Sequence, residues 1–218
     1  MNLKVSEIFD GIGGEGENIG IPATFIRLQG CSVGCKFCDT SYARDPSLGY
    51  EMDEADIMAK IFQPYVVLTG GEPLEQDIGS LVEELSSRGL FILLETSGQF
   101  WSTDMFSKCN LLSVDIKPPS SGVEARMDII QSLVRSFVDK SQFKVVISDL
   151  DDYEFASKVY QRLGFDDLPH KLILTPCWKE SLDVELVQGL EERILRDRLK
   201  VRLILQQHKL IWGERRGK

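Results

Sequence analysis

Short apolar runs alternate with amphipathic segments along most of the chain. Seven runs are rich in Val, Ile, Leu or Phe and lack strict alternation, which is typical of strands that are covered on both faces of a sheet. These predicted strands span residues 23–28, 65–69, 90–95, 111–116, 143–148, 171–175 and 201–205. Apolar residues recur at helical spacing in five segments between them. These predicted helices span residues 53–62, 74–88, 126–138, 151–163 and 182–195.

The alternation of strands and helices predicts a parallel sheet with crossover connections. A doubly wound sheet and a full or partial β/α barrel both fit this order. The chain has 218 residues, whereas a full eight-fold barrel typically needs about 250. We therefore expect an α/β fold, an incomplete (partial) TIM-like β/α barrel of mostly parallel strands, with residues 1–218 forming one domain.

Polar residues, glycines and cysteines collect just after six of the predicted strands. They lie at residues 29–31, 70–73, 96–98, 117–119, 176–177 and 206–208. In parallel α/β folds, ligands bind at the carboxyl ends of the strands. The sequence therefore predicts a functional site along that edge.

Charge and terminal sequence narrow the function classes. The formal net charge is −9, which disfavours nucleic acid as a partner because binders of the phosphate backbone usually carry a basic face. The amino terminus lacks the apolar stretch of a signal peptide, and no apolar run approaches the roughly 20 residues that span a bilayer. We expect a cytoplasmic protein without a membrane partner, where clustered cysteines indicate metal or redox ligands rather than disulfides.

Three of the five cysteines, Cys31, Cys35 and Cys38, lie within eight positions. Structural zinc sites and iron–sulfur clusters usually use four protein ligands. Three thiolates on a four-iron cluster would leave one iron open to a small molecule. A zinc site would need a fourth ligand, and the sequence favours neither His208 nor Cys177 for that role. Cys177, like Cys109, is better explained as a small buried apolar side chain.

The Cys-x3-Cys-x2-Cys spacing, with Phe37 before the last cysteine, resembles the signature of the radical S-adenosylmethionine (SAM) enzymes. The resemblance implies that Cys31, Cys35 and Cys38 hold a [4Fe-4S] cluster. It also implies that the free iron binds the methionine moiety of SAM, and that one electron cleaves SAM to a 5′-deoxyadenosyl radical.

A second motif, "LTGGEP" at residues 68–73, is similar to the GGE motif of the same enzymes. The resemblance implies that Gly70, Gly71 and Glu72 bind the methionine amino group. The residue types suit this role, because glycines let the backbone approach a ligand closely and a carboxylate accepts hydrogen bonds from an ammonium.

The stretch "EIFDGIGGEGENIGIPATFIRLQGC", residues 7–31, resembles the start of the 7-carboxy-7-deazaguanine synthases. Looser matches follow at residues 38–42, 95–98, 117–118, 143–146 and 207–209. The resemblance therefore spans nearly the whole chain. It implies a lyase that converts 6-carboxy-5,6,7,8-tetrahydropterin to 7-carboxy-7-deazaguanine with loss of ammonia, a step towards 7-deazapurines such as queuosine.

The resemblance also implies a set of ligand contacts. SAM would further contact Phe37, Gly98, Asp115 and Lys117. The pterin substrate would contact Ile12, Gly13, Gly14, Glu15, Arg27, Thr96 and His208. Mg²⁺ would be bound by Thr40, with Asp39 in support. A guanidinium at the end of a strand, as at Arg27, suits the bidentate binding of a carboxylate.

Two positions depart from the family pattern. Gly13 stands where the family has a glutamine, so backbone atoms would replace a side-chain contact to the pterin. Asp115-Ile116-Lys117 stands where the family has a segment similar to Ser-Pro-Lys, and an aspartate there would suit the ribose of the nucleoside.

The resemblance further implies an unidentified, flavodoxin-like electron donor and a homodimer. Two other functions stay open on the sequence alone. One is an activase of glycyl-radical enzymes from the same superfamily, and the other is a zinc-stabilised binding module. The stretch at residues 7–16 and the Cys38-Asp39-Thr40 triplet argue against the activase.

Overall fold

The computed structural model describes residues 2–217. Its nine strands are β1 (Asn2–Ile12), β2 (Pro22–Leu28), β3 (Tyr50–Asp53), β4 (Tyr65–Gly70), β5 (Phe91–Thr96), β6 (Leu111–Asp115), β7 (Ser141–Ile147), β8 (Leu172–Pro176) and β9 (Arg202–Leu203). They form one sheet in the order β3-β1-β2-β4-β5-β6-β7-β8-β9. From β2 to β9 every neighbouring pair is parallel, whereas β1 is antiparallel to both β2 and β3.

Over the same described residues, seven helices connect or follow these strands. They are α1 (Glu54–Met58), α2 (Gly79–Ser87), α3 (Thr103–Lys108), α4 (Met127–Phe137), α5 (Leu150–Leu163), α6 (Val184–Asp197) and α7 (Gln207–Trp212). Single 3-10 turns occur at Ser41–Ala43, Pro73–Glu75, Pro119–Ser121 and Val138–Lys140. Within residues 2–217, none of the helices combines the length and the apolar character that crossing a bilayer requires.

The sheet is open rather than closed. β3 and β9 are its two edges, and no ladder joins them in the part of the chain that the structure describes. Seven parallel strands with helical crossovers and an unclosed edge make an incomplete TIM-like barrel, which confirms the expected fold.

The central strands bury side chains on both faces. Val66 and Leu68 of β4 belong to the main core, together with residues of the crossover helices. Val67, between them, packs in a smaller cluster with Ala23 of β2 and Leu93 of β5 on the other face. Because successive side chains of a strand point to opposite faces, this two-sided burial explains the continuous apolar runs in the sequence. Full burial of one such side chain stabilises the fold by about 1.5–3 kcal/mol.

All seven strands predicted from the sequence are present, with ends that differ by one or two residues at most positions. The prediction missed β1 and β3, which lie at the antiparallel edge, and the short helices α3 and α7. The helix predicted for residues 74–88 begins only at Gly79. The chain before it makes the 3-10 turn Pro73–Glu75, whose first amide is capped by the Glu72 side chain.

Candidate active site

A cavity of about 240 Å³ extends from the carboxyl ends of the parallel strands to the loop after β1, which starts beside the amino end of β2. Its wall includes residues at or just after the ends of β4, β5 and β6, and the loop that follows β2. All the site residues predicted from the sequence line this cavity except Glu72 and Gly98. The cysteine loop and the glycine turn line it at the predicted edge of the sheet, whereas residues 12–15 line it from the loop after β1.

The cysteine loop forms one wall of the cavity. Cys31, Cys35 and Cys38 are free thiols of intermediate exposure. Two backbone hydrogen bonds hold the loop, because the Cys31 amide donates to the Arg44 carbonyl (3.0 Å) and the Lys36 amide donates to the Ser121 carbonyl (2.9 Å). Burial raises the pKa of the Cys31 and Cys35 thiols. A metal centre that binds them as thiolates would displace those protons.

The spacing of the three thiols bears on which metal they suit. Zinc–sulfur bonds are about 2.3 Å long, so any two sulfurs on one zinc ion lie within roughly 4.6 Å of each other. Among residues 2–217, the set of three potential ligands whose donor atoms lie within 4.8 Å of one another is Glu15, Asp39 and His208, not the three cysteines. A cluster in which each thiolate binds a different iron suits the wider spacing.

Gly70 and Gly71 bring the end of β4 against the start of the cysteine loop. The Gly71 amide donates to the Leu28 carbonyl (2.9 Å) and the Glu72 amide donates to the Gly30 carbonyl (2.9 Å). A Cβ on Gly71 would overlap the Gly30 carbonyl oxygen, and Gly70 adopts a φ of 120°. Both positions therefore require glycine, and the backbone of this turn is exposed to the cavity.

Glu72 does not line the cavity, and its carboxylate is fully engaged elsewhere. One oxygen, Oε1, accepts from the Leu74 amide (3.1 Å) and the Thr96 hydroxyl (2.9 Å). The other, Oε2, accepts from the Ser97 amide (2.7 Å) and from the Ser97 hydroxyl. Burial raises the pKa of Glu72, and the hydrogen bonds from Ser97, Leu74 and Thr96 offset part of that rise. The side chain thus ties the end of β4 to the end of β5.

A row of ionic contacts crosses the cavity wall from the loop after β1 to the loop after β6. Lys144 of β7 forms an ion pair with Glu15 and a longer one with Asp115 Oδ1 (3.3 Å). The second oxygen of Asp115 pairs with Lys117 Nζ (2.8 Å). The second oxygen of Glu15 accepts from Gln206 Nε2 (2.7 Å). Opposite charges at these distances offset the cost of burying each group.

The pKa values follow from this pairing. Burial alone would raise the pKa of Glu15 and Asp115, but the lysines beside them lower both below their usual values. Burial alone would lower the pKa of Lys117 and Lys144, but the carboxylates raise both above the ordinary lysine value. All four groups are therefore charged at neutral pH.

Glu95, near the end of β5, is a further carboxyl group in the cavity wall, and the residue is of intermediate exposure. Its Oε2 accepts from the Thr69 hydroxyl (2.6 Å). Burial raises the pKa of Glu95, the Lys144 charge lowers it, and the nearby Glu15 charge raises it again. The net direction is upward.

Arg27 is the next-to-last residue of β2, close to the cysteine loop in sequence. Its Nε pairs with Glu7 Oε1 (2.9 Å), which also accepts from the Tyr42 hydroxyl (2.7 Å). The guanidinium of Arg216 lies 3.7 Å from the centroid of the Tyr42 ring, a cation–π contact. One edge of the Arg27 guanidinium is thus used by Glu7, while the residue itself lines the cavity.

The loop after β1 closes on itself and on His208. The Gly13 amide donates to the Ile21 carbonyl (2.8 Å), and its carbonyl accepts from the Gly20 amide (2.7 Å). A Cβ on Gly13 would overlap the Asn18 carbonyl, and a Cβ on Gly14 would overlap the His208 ring. This loop therefore has no room for a side chain at Gly13, and the N–H and C=O groups of that residue are already hydrogen-bonded.

Thr40 lies where the cysteine loop meets the Gly70 turn. Its hydroxyl is 3.4 Å from the Gly70 carbonyl oxygen and 3.7 Å from the Cys38 sulfur. The neighbouring Asp39 side chain shares the 4.8 Å cluster with Glu15 and His208. Oxygen donors of this kind are the ligands that Mg²⁺ prefers.

Several polar residues of the wall were given no ligand contact from the sequence, among them Lys144, Glu95, Thr69 and Gln206. A signal was available for the first, because Lys144 interrupts an otherwise apolar predicted strand. Gly98, which was predicted, lies behind the wall. It adopts a φ of 71°, and a Cβ there would overlap the Asp115 carbonyl oxygen.

Comparisons with known proteins identify the family of the chain. The model of the Radical SAM superfamily matches residues 25–133. A 7-carboxy-7-deazaguanine synthase from Chlorobaculum tepidum is 38% identical over 97% of this chain and 94% of its own length. One from Koribacter versatilis is 34% identical over 96% of this chain and 97% of its own length.

Solved structures share the fold. QueE from Escherichia coli superimposes with a TM-score of 0.73 at 24% identity, covering 95% of each chain. Streptococcus suis SuiB, bound to its precursor peptide, superimposes with a TM-score of 0.59 at 13% identity, covering 82% of this chain and 47% of its own.

Proposed function

The chain belongs to the 7-carboxy-7-deazaguanine synthase family of the radical SAM superfamily, and from that membership we propose how its cavity performs the reaction. The protein is a lyase that converts 6-carboxy-5,6,7,8-tetrahydropterin to 7-carboxy-7-deazaguanine with loss of ammonia. The near full-length identity with synthases favours this activity over that of a glycyl-radical activase. One observation carries the assignment of the site: the three clustered thiols, the Glu15 carboxylate and the Arg27 guanidinium line the same cavity.

Cys31, Cys35 and Cys38 hold the [4Fe-4S] cluster in this proposal. The residues fit it, because three free thiols at separations unsuited to one zinc ion line a single wall. When bound, the cluster supplies the electron for the reductive cleavage of SAM. The glycine turn at Gly70 and Gly71 offers carbonyl oxygens for the methionine ammonium.

The remaining SAM contacts are assigned to the same side of the cavity. Phe37 lies against the nucleoside, and Asp115 accepts hydrogen bonds from the ribose while Lys117 holds the Asp115 carboxylate in place. Gly98 acts indirectly, because its lack of a side chain lets the end of β5 pack against the Asp115 carbonyl. Glu72 also acts indirectly, through its hydrogen bonds to Thr96 and Ser97.

The pterin occupies the opposite side. Glu15, which is ionised, accepts hydrogen bonds from the guanidine-like edge of the ring, as carboxylates do from paired N–H donors. The terminal nitrogens of Arg27 bind the substrate carboxylate, since its Nε is used by Glu7. Ile12, Gly14 and His208 pack along the ring, and Thr96 offers its hydroxyl oxygen. Gly13 contributes by leaving space rather than by a peptide contact.

Mg²⁺ is proposed to bind at Thr40. The hydroxyl would replace its contact with the Gly70 carbonyl by one with the ion, and the substrate carboxylate and water would complete the ligand set. Asp39 would accept hydrogen bonds from that water. A Thr40→Ala variant is expected to lose stimulation by added Mg²⁺, whereas Thr40→Ser is expected to retain it.

The remaining expectations from the sequence, on the domain, the electron donor, the dimer and the location, are also part of this proposal. All nine strands belong to one sheet, which supports one domain over residues 1–218. A flavodoxin-like donor would supply the electron, and two chains would form a homodimer. A cytoplasmic location suits the free thiols, which stay reduced there.

The test is anaerobic reconstitution followed by turnover. Wild-type protein is expected to bind about four irons per chain and, with SAM, reductant and 6-carboxytetrahydropterin, to release ammonia and the deazaguanine product in equal amounts. Cys35→Ala is expected to lose iron and activity together, whereas Cys109→Ala, away from the cavity, should retain iron.

Other outcomes would contradict the proposal in distinguishable ways. A colourless protein that retains one zinc per chain would support the binding module instead. A four-iron protein that cleaves SAM without consuming the pterin, and that places a radical on a partner polypeptide, would support the activase.

A further inference from the structure

Lys144 is the central cation of the cavity wall, and none of the assignments above gives it a role of its own. It lies in β7, with 13% of its side chain exposed. Carboxylates approach it from three directions: Glu15 from the loop after β1, Asp115 from β6 and Glu95 from β5. Lys117 acts on it by repulsion.

The two carboxylates that pair with Lys144 differ in what else supports them. Asp115 has a second cation, because Lys117 Nζ lies 2.8 Å from its other oxygen. Glu15 has a neutral partner at its other oxygen, the Gln206 amide at 2.7 Å. Lys144 is therefore the ammonium on which the position of Glu15 depends, whereas Asp115 keeps a partner without it.

We propose that Lys144 is a positioning residue for the pterin: it holds the Glu15 carboxylate against the wall so that its outward lone pairs meet the N–H edge of the substrate. The inference rests on the proposed function and adds a residue to it. Lys144 itself does not touch the substrate. Its effect on substrate binding passes entirely through Glu15.

This route predicts selectivity between the two ligands. Replacing Lys144 by Met removes the ammonium and keeps most of the side-chain volume. A buried carboxylate without its cation reorients towards the remaining polar groups. Substrate affinity is therefore expected to fall at least about tenfold, the loss of one charge-assisted hydrogen bond. SAM affinity is expected to change less than about threefold, because Lys117 still holds Asp115.

The experiment measures binding to anaerobic, cluster-loaded protein without a reductant, so that no turnover occurs. Isothermal titration gives the Kd of 6-carboxytetrahydropterin in the presence of SAM, and separately the Kd of SAM alone. Lys144→Arg, which keeps the charge, is expected to restore substrate affinity to within about threefold of wild type. Lys108→Met is the matched control, because Lys108 pairs with Glu83 and Asp104 on the surface.

A double-mutant cycle with Glu15→Gln tests the route directly. If Lys144 acts through Glu15, the Glu15→Gln/Lys144→Met double variant binds the pterin as Glu15→Gln alone does. If the single Lys144→Met variant fails to fold, the comparison of the double variant with Glu15→Gln still tests the inference, because the double variant removes both charges together.

Three results overturn the inference: unchanged substrate affinity in Lys144→Met, an equal loss of SAM affinity, or effects that multiply in the double variant. Failure of the proposed function gives a different result, since the wild-type protein would then not bind the pterin at all.

Discussion

Replacing Glu72 by Gln is expected to destabilise the protein even though the two side chains have nearly the same shape. Glu72 is 1% exposed, and each of its carboxylate oxygens accepts one backbone N–H and one hydroxyl. The N–H groups belong to Leu74 on Oε1 and Ser97 on Oε2. A glutamine amide has one oxygen and one NH₂ group.

Neither orientation of that amide satisfies both backbone donors. If the amide oxygen accepts from the Leu74 N–H, the NH₂ group faces the Ser97 N–H, which then has no acceptor. In the reverse orientation the Leu74 N–H has no acceptor. The hydroxyls of Thr96 and Ser97 can rotate to accept, but a backbone N–H cannot. One buried donor is left unsatisfied, which costs about 1–3 kcal/mol.

The magnitude converts to a measurable change in Tm. In a domain of this size, 1 kcal/mol shifts Tm by about 2–4 °C, so Glu72→Gln should lower Tm by about 2–12 °C. Glu84→Gln is the matched control, because Glu84 and Arg88 form an exposed helical pair with side chains 44% and 53% accessible. Such a pair contributes about 0.3–0.5 kcal/mol, so its loss should lower Tm by no more than about 2 °C.

Differential scanning fluorimetry of the anaerobic, cluster-loaded variants measures both shifts, and titration with SAM accompanies it. Equal Tm values for Glu72→Gln and Glu84→Gln would refute the hydrogen-bond reasoning. A normal Tm combined with a large loss of SAM affinity would restore the role expected from the sequence, in which the Glu72 carboxylate itself binds the ammonium.

Three further predictions concern other contacts of the cavity. Tyr42→Phe removes the hydroxyl that donates to Glu7 and should lower stability by about 0.5–1.5 kcal/mol, measured as Tm at pH 8. Burial raises the pKa of Tyr42 to about 12, so the stability that the hydroxyl contributes is present below pH 10 and is lost as the pH rises through 12. A wild-type Tm that stays above the Tm of Tyr42→Phe beyond pH 12 would contradict this pH dependence. Gly14→Ala should displace the His208 ring and lower kcat/KM for the pterin at least about tenfold without changing the Kd of SAM, whereas Gly189→Ala, which has open space around it, should leave both unchanged. Below pH 4.5, the Tm of the wild type should fall more steeply than that of Glu15→Gln, because folding lowers the pKa of Glu15. The ionised carboxylate stabilises the fold fully above the pKa of an ordinary glutamate, and this stability is lost as the pH falls through the lower pKa of the folded state. Parallel Tm curves for the two proteins would contradict this.

The parallel part of the fold could be predicted because the burial of each strand is visible in a few consecutive residues of the sequence. Strands covered on both faces appear as continuous apolar runs, and each run in this chain became a strand. Their carboxyl ends could then be read as the edge of the site without knowing the register of the sheet.

The antiparallel edge escaped prediction because its pattern differs. In β1, Leu3 and Val5 are 2% and 1% exposed while their neighbours are polar. This period of two is typical of a strand covered on one face. A search for continuous apolar runs does not detect it.

The network around Glu72 could not be predicted for another reason. Its donors Thr96 and Ser97 lie 24 and 25 positions away, and which face of the turn meets them depends on how β4 and β5 pair. The motif identifies the turn as a place where a ligand approaches, but it does not distinguish a carboxylate that binds a ligand from one that holds two strand ends together.

The missed strand is also what completes the site. In the antiparallel ladder between β1 and β2, Glu7 lies opposite Arg27, so pairing of the two strands alone places a carboxylate beside the guanidinium that is proposed to bind the substrate. The same strand ends at Ile12 and delivers the loop that carries Glu15 to Lys144. Because β1 is antiparallel to β2, Ile12 lies opposite Pro22, so this loop starts at the amino end of β2. From there the Gly14 carbonyl accepts from the Gln207 amide, which follows β9 (2.9 Å). The direction of β1 therefore lets its loop, which carries the carboxylate proposed to bind the substrate, connect the β1 side of the open sheet with the β9 side.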